Sequence, residues 1–162
     1  MKTKDFLGHE WDIDCMGCAI GNGAMLVPGG IIQKTQYFCV IQDPAIPLPG
    51  FLVINSLRHF QSMVEMQEVE YTEFSNLLRA THQAIKKTTG VEYLTIVQEE
   101  RSIHFHLWFF PWTPSVIEKY GKPSLSKIRE IMSDFGHHII SDIQWKELEG
   151  SIEKIKRYGK GI

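Results

Sequence analysis

Ser102-Ile103-His104-Phe105-His106-Leu107-Trp108-Phe109-Phe110-Pro111 is the most informative run in the chain. Read with the two-residue period of a strand, it sends His104, His106 and Trp108 to one face and Ile103, Phe105, Leu107 and Phe109 to the other. The apolar set is sufficient to anchor a strand in a core, which frees the histidine face to line a pocket. The two histidines then stand ~7 Å apart along the strand, so they can hold different tasks. Immediately upstream, Glu92 to Val97 is a second β-rich segment, and Gln98-Glu99-Glu100-Arg101 between the two is a polar turn. The pair reads as an antiparallel hairpin closed off by Pro111-Trp112-Thr113-Pro114.

Further upstream, Val69, Phe74, Leu77, Leu78, Thr81 and Ile85 recur at helical spacing between about Met66 and Lys87, with acidic residues early and Lys86-Lys87 late. Gly90 is the expected stop. Phe51-Leu52-Val53-Ile54 has the length of a strand, and residues Ile31 to Gln42 read as one strand or a hairpin arm. Between them, Asp43-Pro44-Ala45-Ile46-Pro47-Leu48-Pro49-Gly50 carries three prolines and is a stiff connection. Downstream, Leu125, Ile128, Ile131 and Met132 mark a short helix opening near Ser124, and Trp145, Leu148, Ile152 and Ile155 mark another. The order strand, strand, helix, strand, strand and terminal helices predicts an α+β domain on an antiparallel sheet of about five strands, with a long helix on it and extra carboxy-terminal helices.

At 162 residues and 18.7 kDa, with 43% hydrophobic residues, the chain has room for one domain with a full core. The expected division is a single domain over 1–162, with its core at about 14–112 and a helical extension over 113–162. Seventeen Lys plus Arg against nineteen Asp plus Glu leave a net charge of -2, which argues against capture of a nucleic acid polymer or an acidic membrane surface. A small phosphorylated ligand remains compatible with that balance. No transmembrane span and no secretory signal is readable, so the expected location is cytoplasmic. Lys154, Lys156, Arg157 and Lys160, with Glu147, Glu149 and Glu153 nearby, read as a solvated helix face.

Cys15 and Cys18 form a CxxC, which favours metal or redox chemistry, while Cys39 within Tyr37-Phe38-Cys39-Val40-Ile41 reads as a buried thiol. Cys15, Cys18, His59 and one of the two strand histidines make a two-sulfur, two-nitrogen set suited to tetrahedral zinc. A thioredoxin-like use is the rival, without an obvious βαβ context before Cys15. His9 and Trp11 lie near this segment, and Asp134, His137 and His138 read as surface residues.

Asp43, Pro47, Pro49-Gly50-Phe51-Leu52-Val53-Ile54 and His59, followed by His104-Phe105-His106 and Pro111, resemble the histidine-triad superfamily of nucleotide hydrolases and transferases. Cys15-Met16-Gly17-Cys18 resembles the amino-terminal zinc half-site of its zinc-bearing, diadenosine-polyphosphate-hydrolase-like members. The likeness spans roughly residues 14 to 112. It implies a His-x-His-x-Trp version of the motif, with His104, His106 and Trp108 as the catalytic set and His106 as the nucleophile toward an α-phosphorus. It also implies a structural zinc on Cys15, Cys18, His59 and His104. A slipped register would instead make Ser102 the first position and His104 the nucleophile. The implied substrates are dinucleoside polyphosphates or nucleoside phosphoramidates, and the implied assembly is a homodimer paired through the helix and sheet of the core. The family's glycine-rich phosphate segment is replaced by Thr95 to Ser102, and its usual histidine by Phe51. Phosphate contacts then fall to Gln98, Arg101 and Ser102, with Glu99 and Glu100 repelling if they face inward. Ile41, Asp43 and Ile54 would border the nucleotide pocket. A nucleotide-binding or sensor module without turnover is the alternative on the same fold.

Overall fold

The computed structural model describes residues 1–136 and 138–160. Its strands are β1 (Lys2–Lys4), β2 (Glu10–Asp12), β3 (Ile31–Lys34), β4 (Phe38–Gln42), β5 (Leu52–Ser56), β6 (Leu94–Gln98) and β7 (His106–Pro111). Its helices are α1 (Met16–Asn22), α2 (Glu68–Thr89), α3 (Pro114–Tyr120), α4 (Leu125–Phe135) and α5 (Asp142–Lys160). β1 and β2 form a small separate hairpin, and the other five strands form one antiparallel sheet in the order β3-β4-β5-β7-β6. This is the expected α+β architecture.

Every residue of β4 and β5 is buried, because helices cover both faces of the sheet centre. That is why Phe38-Cys39-Val40-Ile41 and Leu52-Val53-Ile54 are unbroken apolar runs instead of alternating ones. On one face Phe38, Val40, Leu52, Ile54, Phe105, Leu107 and Phe109 pack against Phe74, Leu77, Ala84 and Ile85 of α2 and Ile155 of α5. On the other, Cys39, Ile41 and Val53 meet Ala19 and Ile20 of α1, while Phe51, Phe110 and Trp112 meet Val116, Ile128 and Ile131 of α3 and α4. Trp108 belongs to both of these clusters and marks the seam between them.

α2 starts two residues later than the spacing predicts, with Gln67 and Glu70 forming a reciprocal capping box, and ends at Gly90, whose φ of 68° closes the last turn. Residues 31–42 are two paired strands with a bulge at Ile31/Gln33. α3 is a helix where the sequence reading stops at a strand terminator: Thr113 caps it by accepting from the Val116 N–H, and Pro114 sits in its first turn, where a missing N–H costs nothing. β7 begins at His106 and not at Ile103, and Ile103 is 60% exposed instead of lying in the core. Among the described residues no helix is long and apolar enough to cross a membrane.

Candidate metal centre and active site

α1 opens on Cys15 and carries Cys18 one turn on, which turns both sulfurs toward the end of the sheet. There they meet His59, from the loop after β5, and His104, from the loop before β7. The Cys15 sulfur lies 3.6 Å from His59 Nδ1 and 3.3 Å from His104 Nδ1; the Cys18 sulfur lies 3.2 and 3.5 Å from the same atoms, and the two nitrogens are 3.3 Å apart. A four-coordinate ion with zinc's bond lengths separates S from N by ~3.6 Å and N from N by ~3.4 Å. The four donors therefore stand on the vertices of a site that can hold a metal ion. Burial and the neighbouring Cys15 push the Cys18 thiol up, so this thiol is held in its protonated form when no cation is near.

The surroundings fix the ring of His104 for that duty. Its Nε2–H donates to the Ser56 carbonyl at 2.8 Å, with the Ser56 hydroxyl 3.0 Å away, leaving the Nδ1 lone pair to face the sulfurs. Burial holds the imidazole below its ordinary pKa and hence neutral. Gly17 makes room for it, since a Cβ there would fall 2.3 Å from the His104 ring. Asn55 ties α1 to the sheet by donating to the Gly17 carbonyl at 3.0 Å. The His59 loop is held by Arg58, which binds both oxygens of buried Glu70 at 2.9 Å and lies 4.5 Å over the Phe60 ring. The guanidinium keeps Glu70 below the usual carboxylate range.

His106 is half-buried, and its Nδ1–H donates to the His104 carbonyl at 3.1 Å. That bond selects the tautomer whose Nε2 carries a lone pair. His106 lines a cavity of about 280 Å³ with Ile20, Ile41, Asp43, Val53 and Ser102. Asp43 Oδ1 accepts from the Ala45 and Ile46 N–H groups at 2.8 Å, which curls the proline-rich connection, while Oδ2 makes no hydrogen bond among the described residues. Desolvation pushes the Asp43 carboxyl up to about 6 against the pull of those two N–H groups and of His106.

The other sequence candidates divide by face. Ser102 borders the cavity and its hydroxyl donates to the His104 carbonyl at 3.0 Å. Ile54 does not reach it: opposite Leu107 in the ladder, it is fully buried on the α2 face, and Val53 and Asn55 take the cavity positions. Gln98 also pairs with Leu107 and so turns to the α2 side, with its Nε2 buried and unpartnered among the described residues. Arg101 stays on the site's side, paired with Glu99 at 3.4 Å. Trp108 lies flat against Phe51, ring centroids 5.5 Å apart, so the two positions where the resemblance expects imidazoles form one aromatic stack. Glu100 turns away to accept from Ser62. His9 is bound to Asp5 at 2.9 Å and stays out of the metal cluster, Trp11 packs under α1, Asp134 accepts from Tyr120, and His138 is exposed. His137 lies outside the described residues.

Asn55, Ser56 and Gly17 are the supporting residues that sequence reasoning missed. Gly17 between the cysteines and the polar Asn55-Ser56 ending an apolar strand were the available signals.

No protein-family model matches the sequence, and no curated protein matches it. Solved structures share its fold. A hypothetical histidine triad nucleotide-binding protein from Sulfolobus tokodaii superposes with a TM-score of 0.62 at 17% identity, over 88% of this chain and 93% of its own. A zinc-bound histidine triad family protein from Mycobacterium smegmatis gives 0.61 at 14%, over 91% and 94%. A HIT family protein from Bacillus subtilis gives 0.57 at 13%, over 88% and 96%.

Proposed function

We propose that this chain is a nucleotide hydrolase or transferase whose His106 attacks the α-phosphorus of a dinucleoside polyphosphate or a nucleoside phosphoramidate. The observation that carries the reading is the His106–His104 carbonyl hydrogen bond, which leaves one ring nitrogen unprotonated at the wall of the cavity. Its lone pair forms a P–N bond as the P–O or P–N bond to the leaving group breaks, and the leaving group departs with that electron pair. Water or an acceptor phosphate then forms a new P–O bond, and the imidazole regains its lone pair. The slipped register is disfavoured because both nitrogens of His104 are already engaged. The Ser102 hydroxyl is the polar group nearest the His104 carbonyl in this wall, and Asp43, once ionised, can accept from sugar hydroxyls.

Cys15, Cys18, His59 and His104 would hold zinc, as their S···N and N···N separations suit it, and the ion would supply a cross-link between α1 and both loops. Two copies are proposed to pair through α2 and β6: β6 is an edge strand with Ile96 exposed, beside Leu78 and His82 of α2.

The test is release of nucleoside monophosphate by metal-analysed protein from dinucleoside polyphosphates, phosphoramidates and adenylylated amines, with His106→Asn beside it. Release that disappears in the variant at unchanged metal content supports the reading. Nucleotide binding with no release from any substrate supports a binding module on the same fold.

A further inference from the structure

On the face of the sheet away from His106, a second cavity of about 310 Å³ lies between α2, α5 and strands β3 to β5. Val40, Leu52, Ala84 and Ile155 give it apolar walls, and all four are buried in the main core. It stays open because the side chains that α2 contributes are short, Ala80, Thr81 and Ala84, and because α5 is held where it stands. The Lys156 ammonium donates to the Gly29 carbonyl at 2.7 Å, and Ile152 packs so closely on Gly29 that a Cβ there would fall 2.7 Å from it. The space is about twice the ~150 Å³ that takes benzene and so suits a molecule of ~12 non-hydrogen atoms. One polar group in its wall lacks a partner. Elsewhere on α2, Thr72, Thr88 and Thr89 each donate to the carbonyl four residues back, at 3.0, 2.8 and 2.6 Å. Thr81 is 4% exposed and borders the cavity, yet its hydroxyl has no hydrogen bond among the described residues. A buried hydroxyl in that position is costly, and its place in the wall points to a bound molecule that satisfies it.

The rim sets the charge of that molecule. Half-buried Lys156 and exposed Lys160 border the cavity, and among the described residues no carboxylate does. Lys156 shares its charge with Glu153 at 3.1 Å, whereas Lys160 makes no ion pair among the described residues. Apolar walls, one buried hydroxyl and a cationic rim match an aliphatic body with a single negative end. We propose that this cavity binds a medium-chain aliphatic carboxylic acid, its tail on Val40, Leu52, Ala84 and Ile155 and its carboxylate accepting from the Thr81 hydroxyl on the side of Lys156 and Lys160. The His106 cavity stands back to back with it on the same two strands, bordered by Ile41 and Val53 where this one is bordered by Val40 and Leu52. The two share no lining residue, so binding of the acid does not depend on the role of His106.

The experiment is calorimetric titration of the metal-loaded protein with decanoate below its micellar concentration, with the melting temperature of every variant recorded. Saturable binding of a single decanoate is expected, together with a rise in melting temperature. Thr81→Val keeps the shape and removes the hydroxyl, and should weaken binding roughly fivefold without lowering the melting temperature of the free protein. Lys160→Gln should weaken it roughly threefold, an effect that shrinks as salt is raised. Lys154→Gln removes an equal charge from an exposed position of α5 that does not border the cavity, and should change nothing. Ala80→Leu fills the cavity from its half-buried place on α2 and should abolish binding; if that variant melts early, Thr81→Val at an unchanged melting temperature decides alone. Absence of saturable decanoate binding by the wild-type protein overturns the proposal. So does binding that Ala80→Leu, Thr81→Val and Lys160→Gln all leave unchanged.

Discussion

His104 and His106 are two residues apart, point to the same side of the sheet, and are used in opposite ways. His104 is 3% exposed, with one ring nitrogen on the Ser56 carbonyl and the other among two sulfurs and His59. His106 is half-buried, with one ring nitrogen on a carbonyl and the other toward a cavity. The lesson is that an imidazole is made structural or reactive by the number of its nitrogens the fold consumes. The carbonyl that fixes His106 belongs to His104, so the ring proposed as nucleophile is aligned by the backbone of the committed one.

Substituting each in turn is the hardest blow to that contrast. His106→Asn should lower nucleotide release by roughly 10⁴-fold or more with metal content and melting temperature unchanged. His104→Ala should cost the metal first, read by elemental analysis, and activity as a consequence. Equal loss of metal in both variants would erase the distinction.

Gly17→Ala acts on His104 alone by driving a methyl group to 2.3 Å from its ring. It should destabilise the protein by about 1–3 kcal/mol and lower metal occupancy, measured by thermal denaturation and metal titration. Wild-type behaviour would mean that α1 shifts freely on the sheet, and the contrast would weaken. Asn55→Ala removes the bond that resists such a shift, and its cost of about 1–2 kcal/mol should be smaller in the Gly17→Ala background than alone.

The smallest expected effect sharpens the His106 side. Asp43 in the folded chain binds its proton more tightly than an unfolded aspartate, because burial pushes it up to about 6. Its native state therefore carries the extra proton, and this residue's contribution to stability falls as pH rises from ~4 to about 6. Asp43→Asn should remove that fall in a pH series of denaturant midpoints. It should also remove any inflection near pH 6 in nucleoside affinity.

The α+β order, the long helix and the sheet were legible because their apolar spacing is long and regular. That His104 and not His106 joins the cysteines was named only through the family resemblance, since the residues alone do not show that the missing Cβ at Gly17 and the helix seated by Asn55 make room for its ring. Gln98 and Ile54 went to the wrong face for one reason: a strand's period tells which residues share a side, but the partner register tells which side. Both pair with Leu107, on the α2 side. Ile103 missed the core because the ladder ends just before it: the Phe105 N–H bonds to Phe60, and the chain leaves the sheet. The stack of Phe51 on Trp108 could be read only as two aromatics in apolar runs, with nothing to bring them together.

The cluster of two sulfurs and two nitrogens also has a consequence for the order of assembly. It joins residues 41 to 89 positions apart, linking the first helix to a loop two-thirds of the way along the chain. Such contacts come late for a growing or refolding polypeptide, because the long intervening loop must close before any of them forms. With the His104 backbone setting the tilt of His106, the cavity-facing ring nitrogen gains its final orientation only when that closure is complete. A partly folded chain thus holds all the residues proposed for catalysis and none of their alignment, and refolding followed by the proposed activity should lag refolding followed by helix content.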